Sequence, residues 1–168
     1  MPFNPQTAVT ATVSRLEAVT SLGVVHARRR TVRTEAQANQ LLVDEATHKI
    51  NAAFVSIVAM TVGTRDSGQP APTLGAGVNN AAGALTSFRI QVELFRGLED
   101  ADELASEERF RDTVFDVIQA FNKVGKVDPG ASHQDPMSAT SISYIMLADS
   151  FLMHYALCQY ELRGRTSP

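Results

Sequence analysis

Ser87-Phe88-Arg89-Ile90-Gln91-Val92-Glu93-Leu94-Phe95-Arg96 is the stretch that decides the fold. Phe88, Ile90, Val92 and Leu94 alternate with Arg89, Gln91 and Glu93. A period of two sends successive side chains to opposite faces of a strand, so one face is core and the other is wet or an interface. Upstream, Ala52–Val62 is rich in β-branched residues and apolar all round. Phe54, Val58, Met60 and Val62 are expected on one face, with Val55, Ile57 and Ala59 on the other. That pattern suits a central strand covered on both sides. The two strands are expected to pair as a hairpin.

The connection between them, Gly63–Leu85, is long and unusual. It holds Gly63, Gly68, Gly75, Gly77, Gly83, Pro70, Pro72 and the pair Asn79-Asn80, and little charge between Gln69 and Thr86. Connections of this length without regular structure are uncommon in compact domains and are usually functional or disordered. This one is expected to order against a neighbour.

Working outward, Pro5–Leu22 carries Val9, Val13, Leu16 and Val19 at helical spacing, with Gly23 as a stop. Val24–Val32 reads as a strand bearing Arg28-Arg29-Arg30, followed by Arg33. Thr34 then opens a helix, with Gln37 placed for a capping box. Ala38, Leu41, Leu42 and Ala46 form its apolar face, which is expected to end near Ile50. On the other side, Glu99–Glu108 is acidic and leads into a helix with Phe110, Val114, Val117, Ile118 and Phe121 on one stripe. Ala131–Ala139 reads as a loop. Ser141–Leu147 and Phe151–Leu162 read as strands around Ala148-Asp149-Ser150, and Arg163–Pro168 as a polar tail. In the last strand Leu152, His154, Ala156, Cys158 and Tyr160 share a face, and Met153, Tyr155 and Leu157 share the other.

The order is α-β-α-β-loop-β-α-β-β. It predicts one α+β domain over residues 1–168: a mixed, mostly antiparallel sheet packed by helices on one face, with the long loop in its central hairpin. The 168 residues are enough to bury a core without a disulfide or metal. The single cysteine, Cys158, rules out an intramolecular disulfide. A net charge of −3 argues against broad electrostatic binding to nucleic acid. The N-terminus lacks the basic and apolar regions of a signal peptide. The apolar stretches near Ala52–Val62 and Ile142–Leu157 are too short or too polar to span a membrane, so no membrane role and a cytosolic-type compartment are expected.

The chemistry-bearing residues form no motif. His26, His48, His133 and His154 have no metal-ligand spacing, and Cys158 belongs to no CxxC. No catalytic residue, metal or cofactor is expected. His133 and Asp135 share a segment and could bind a ligand, but a surface histidine is the plainer reading. His154 fits a core histidine with a satisfied ring nitrogen, and Cys158 a buried thiol. Gly75-Ala76-Gly77 does not lead into a helix, so it lacks the anion-binding logic of a phosphate loop. The acidic run Glu99, Asp100, Asp102, Glu103, Glu107 and Glu108 lacks EF-hand spacing and complements a helix start.

Arg28, Arg29, Arg30 and Arg33 carry more weight. Arginine outnumbers lysine twelve to three. Arginine pairs carboxylates bidentately and is enriched at protein interfaces. An edge strand protected by charge is the bland alternative. With Glu99, Asp100 and Asp102 these arginines suggest a self-complementary surface, where one subunit's acidic face meets its neighbour's basic face and closes a ring. Gly75, Gly77, Asn79 and Asn80 are the loop residues expected at such an interface.

The helix Thr7–Leu22, the strand Phe88–Phe95 after a long loop, the helix Phe110–Phe121 and the closing strands Tyr144–Leu147 and Met153–Leu162 resemble the tail-terminator and related neck proteins of long-tailed bacteriophages. The run Phe88–Phe95 into an amphipathic helix, followed by Met153-His154-Tyr155-Ala156-Leu157, carries most of the likeness. The chain departs from that family in the extra helix Thr34–Ile50 and the arginine strand before it. The resemblance implies a structural virion subunit assembled in the host cytoplasm, a homohexameric ring without catalytic residues. It implies contacts with the tail-tube protein and with a head–tail connector or stopper, and a lumen that passes DNA. Two other classes stay open: a small α+β enzyme or ligand-binding domain using His154, Tyr155 or His133, and a nucleic-acid-contacting protein using Arg28–Arg33.

Overall fold

The computed structural model describes residues 3–62, 85–98, 103–123, 125–147 and 151–165. In chain order the elements are α1 (Pro5–Glu17), β1 (Val24–His26), α2 (Glu35–Leu42), β2 (Val43–Asp44), β3 (Lys49–Val62), β4 (Leu85–Gly97), α3 (Glu103–Asn122), β5 (Ala131–Gln134), β6 (Ser138–Leu147) and β7 (Phe151–Arg165). The sheet runs β1-β3-β4-β7-β5, with β2 also on β3 and β6 also on β7. Among the described strands only the β1–β3 pair is parallel. The fold is α+β, with the expected hairpin of β3 and β4 at its centre. The residues between those strands, 63–84, lie outside the described residues.

The alternation in β4 is real. Phe88, Ile90, Val92 and Leu94 are buried on one face with Ala156, Cys158, Tyr160 and Leu162 of β7. Helices α1 and α3 cover that face through Ala8, Leu16, Phe110, Val114, Val117 and Phe121. Polar contacts fix α1 in place. Asn4 and Thr7 form a capping box, with Thr7 N donating to Asn4 Oδ1 at 2.9 Å. The Thr12 hydroxyl donates to Ala8 O at 2.6 Å, so the Tyr160 hydroxyl, 2.5 Å away, donates to it. Arg15 donates to Ala120 O at 3.0 Å, which puts a cation on a carbonyl near the end of α3. Phe3 packs on Phe88 with the rings tilted and 4.8 Å apart, and a Cβ at Gly164 would sit 2.5 Å from the Phe3 ring.

The helices do not all share one face. Ala38, Leu41 and Leu42 of α2 pack with Ala52, Phe54, Phe95 and Met153 on the opposite side of the sheet. The α2 helix is also shorter than the expected Thr34–Ile50. It stops at Leu42, and Asp44 O then accepts from His48 N at 2.8 Å to turn the chain into β3. His48 takes a left-handed φ of 54° there, and Ala46 lies in this turn instead of on a helix face.

Three further expectations are corrected. The strand read at Val24–Val32 ends at His26, and Arg28–Arg30 follow it outside any strand. The chain must leave the sheet there to start α2 on the far side. His26 Nε2 lies 2.7 Å from Leu41 O and its ring packs on Phe54 at 5.0 Å, which ties the exit to α2. Ala131–Ala139 is not a loop but holds β5 and the start of β6. Side-chain amides staple it to the end of α3: Gln134 Nε2 donates to Phe121 O at 3.1 Å, and the Asn122 side chain exchanges two hydrogen bonds with the Met137 backbone at 2.8 and 3.0 Å. Arg163–Arg165 belong to β7 and not to a tail.

Finally, β3 is covered on both sides only in its first part. A bulge between Ile57 and Ala59 shifts the register, so Met60 pairs with Phe88 while Phe54 pairs with Glu93. Met60 therefore faces the α1–α3 side, not the side of Phe54.

Candidate functional site

Four places gather the residues that carry chemistry. The first is on the α2 side of the sheet. Glu93, which alternation placed on a wet face, is buried at 1% exposure. A carboxylate leaves water only if charge and hydrogen bonds replace it. Arg29 Nε lies 3.1 Å from Glu93 Oε2, and the Tyr155 hydroxyl donates to Oε1 at 3.0 Å. Among the described residues Oε2 has no aligned hydrogen-bond donor besides that ion-pair contact. Burial, then the Glu93 charge and hydrogen bond, push the Tyr155 hydroxyl up to about 12. Arg29 thus pins the segment after β1 down onto the sheet. Its own side chain is 68% exposed, so the attraction is partly screened. Sequence reading put Arg29 in an interface and missed its buried partner. The only signal was a Glu opposite an apolar strand.

Arg28, Arg30 and Arg33 are exposed, and Arg33 N donates to Gln37 Oε1 at 3.0 Å. The remaining expected interface residues, Gly75, Gly77, Asn79, Asn80, Glu99, Asp100 and Asp102, lie outside the described residues. In the rest of the acidic run, Glu107 is engaged within the subunit by Arg111 at 2.5 Å and by the Tyr144 hydroxyl at 3.1 Å.

The second place surrounds His154. The ring is buried at 1% exposure, as a core histidine, with Nε2 2.9 Å from Ser106 Oγ. It stacks on Phe110 at 5.2 Å and packs on Tyr144 at 4.8 Å. Above it a shallow cavity of about 150 Å³ opens between α3 and β6, lined by Glu107, Phe110, Arg111, Ile142, Ser143, Tyr144 and His154. Its lining is mostly apolar and its polar rim is the Glu107–Arg111 pair. Cys158 lies four residues further along the same strand face, fully buried, with burial raising its thiol from 9.0 to about 12. A thiol held protonated is a poor nucleophile.

The third is a surface network. His133 Nε2 lies 2.9 Å from Asp135 Oδ1, and Arg163 reaches Asp135 at 3.5 Å and Glu161 at 3.0 Å. Among the described residues no group of three His, Cys, Asp or Glu side chains could hold a metal. Nor, among them, is any helix long and apolar enough to cross a membrane.

The fourth is the pair of sheet edges. Among the described residues β6 has β7 on one side and no strand on the other. At the opposite edge, β1 covers β3 only at Ala52–Phe54 and β2 only at Lys49 and Ile50. No described strand covers the rest of that edge, up to Val62. Neither Ser138–Leu147 nor Ile57–Val62 contains a charged residue or a proline. Large exposed apolar side chains lie on or beside them: Ile142, Tyr144 and Leu152 at one end, Val58 and Met60 at the other. Sequence reading found these strands but could not tell that their outer edges were bare.

No protein-family model matches the chain, and no curated protein matches it.

Proposed function

We propose that this chain is a structural, self-associating subunit that forms a ring in the neck or tail of a bacteriophage, and within that group a tail terminator. The carrying observation is that, among the described residues, no strand covers the outer edge of β6 or Ile57–Val62 of β3, and neither segment carries a charge. Proteins that live as monomers blunt such edges with charge, proline or a covering element. Leaving both edges bare at opposite ends of the molecule suits head-to-tail association, which closes into rings when the rotation per subunit permits. The finer assignment rests on the resemblance, whose order of elements (α1, β4, α3, then the β6–β7 pair) is kept in the fold. In that role the ring caps the last ring of tail-tube subunits, stops tube growth and presents a surface to the head–tail connector or stopper.

A second reading takes the cavity over His154 as a ligand site. It fits less well. Ligand pockets are usually 300–1,000 Å³ and present convergent polar groups. This one is about 150 Å³, and its histidine is held beneath the surface by Ser106.

Native mass measurement of the chain, alone and mixed with tail-tube protein, tests the reading. The expected result is a hexamer-sized species, or monomers that assemble on tube ends. A strict monomer that never joins a tube overturns it.

A further inference from the structure

We propose that the contact between subunits is made by the sheet itself: the outer edge of β6 in one copy pairs antiparallel with Ile57–Val62 of β3 in the next. The pairing sets the neighbour's Met60 against the cavity between α3 and β6. This inference rests on the ring-forming reading above and names the contact that would build the ring.

Strand direction supports it. β3 is antiparallel to β4, β4 to β7, and β7 to β6, so β6 runs opposite to β3 within one subunit. A second copy set head-to-tail in the same orientation therefore offers its β3 antiparallel to β6, the more stable pairing. Side-chain parity agrees. Ile142 and Tyr144 pair with Ala156 and His154, and Met60 pairs with Phe88. Ala156 and Phe88 both belong to the core under α1 and α3, so Met60 and the cavity residues lie on one face of the joined sheet. Met60, exposed at 58%, is an unbranched and adaptable side chain suited to an irregular apolar hollow. It would lie over Ile142, Tyr144 and Phe110, inside the Glu107–Arg111 rim.

The neighbouring edges show what a guarded edge looks like here. β5 lies beside the same strand as β6 but is only four residues long, is followed by Asp135 and Pro136, and carries the His133–Asp135 pair. β1 guards the first part of β3. Among the described residues, what remains without a neighbouring strand is β6 at one end and the far half of β3 at the other. One heterologous contact covers both, whereas a twofold contact through either edge leaves the other exposed. The two bare segments are offset along the strands by about seven residues, roughly 23 Å at about 3.3 Å per residue. Successive copies are therefore staggered, and the strands must tilt against the ring axis, as they do in any closed barrel.

Cysteine cross-linking tests the pairing. Thr61 and Ser143 lie on the α2 side of the two edges, opposite Ser87 and Tyr155. Cys158 is buried and stays out of the reaction. An equimolar mixture of T61C and S143C chains should form disulfide-linked dimers under mild oxidation, while neither variant alone should link. A chain carrying both should give a ladder ending in a covalent ring. Linking of S143C alone, or of T61C alone, would show a twofold edge contact and overturn the proposal. If the unmodified chain assembles but no link forms here or at Ala59 and Ser141, the pairing fails and the ring reading stands. If the unmodified chain stays monomeric with tail-tube protein present, both fail. Met60→Lys and Ile142→Lys, both at exposed positions, should leave a folded monomer but raise the concentration for half-assembly at least about tenfold, since an edge lysine opposes strand addition. Unchanged assembly in both would also overturn it.

Discussion

The two halves of β3 are alike in composition and differ in what covers them. Ala52, Ala53, Phe54 and Val55 are 0–2% exposed, whereas Val58 and Met60 are 47% and 58% exposed. The first half has β1 beside it, α2 on one face and the α1–α3 core on the other. Beyond the bulge at Val58 neither helix layer buries it, and no described strand lies outside it. Apolar composition alone does not bury a strand; the elements packed around it do. An apolar half-strand left uncovered in a subunit is a cost that association can remove.

The largest effect that separates the halves should come from truncating a large apolar side chain in each setting. Phe54 packs on His26 at 5.0 Å and on Phe95 at 5.4 Å. Phe54→Ala should cost about 3–5 kcal/mol of subunit stability, the usual range for removing a buried ring. Met60→Ala should change subunit stability by no more than about 0.5 kcal/mol, as at exposed sites in general, while weakening assembly. Urea unfolding of the monomer and native mass of the assembly measure the two. Equal losses of stability would mean the outer half is covered after all.

The same contrast explains what was legible in the sequence. Alternation in β4 and the stripe of α3 were clear because each element has one dry face, and burial on one face is what periodicity records. β3 was harder. Apolar residues on both faces gave no period, so the bulge that sends Met60 to the other side of the sheet left no mark. β5 is hard to see because Ala131–Gln134 is only four residues long and buries only Ala131, too little to show a period. Nothing local in the sequence shows that the chain leaves the sheet after His26, so the arginines read as part of a strand. At the candidate site, His154 and Cys158 were read correctly as core residues. The Glu93 pairing and the bare edges were not, because both depend on partners far away in the chain.

A middle-sized effect belongs to Glu93, a carboxylate buried beside the covered half. Glu93 pairs with Phe54 in the sheet and takes its hydrogen bond from Tyr155. Tyr155→Phe keeps the ring against Phe95 and removes only the donor. Leaving a buried acceptor unpaired costs about 1–3 kcal/mol. Thermal unfolding of Tyr155→Phe should show a loss of that size with assembly unchanged. A neutral result would mean that water reaches Glu93 and that this face of the covered half is not dry.

A smaller effect at neutral pH, and a sharp probe of dryness, lies in Cys158. It pairs with Val92, which pairs with Val55, so it sits level with the covered half on the α1–α3 side. Burial lifts its thiol from 9.0 to about 12. The unfolded chain therefore loses this proton from about pH 9 while the folded chain keeps it. Above that pH the unfolded state binds fewer protons, so stability falls as pH rises, and it goes on falling until the folded thiol ionises near 12. Tyr155 and Tyr160, both raised from 10.0 chiefly by burial, add their own loss starting one unit higher. Between pH 9 and 10 the decline thus belongs mainly to Cys158. Cys158→Ala should cost about 1 kcal/mol at pH 7 through lost packing, yet hold its melting temperature nearly flat across that window while the unmodified chain drops. Parallel curves would place the thiol in contact with water and remove the distinction between the covered and bare halves on this side of the sheet.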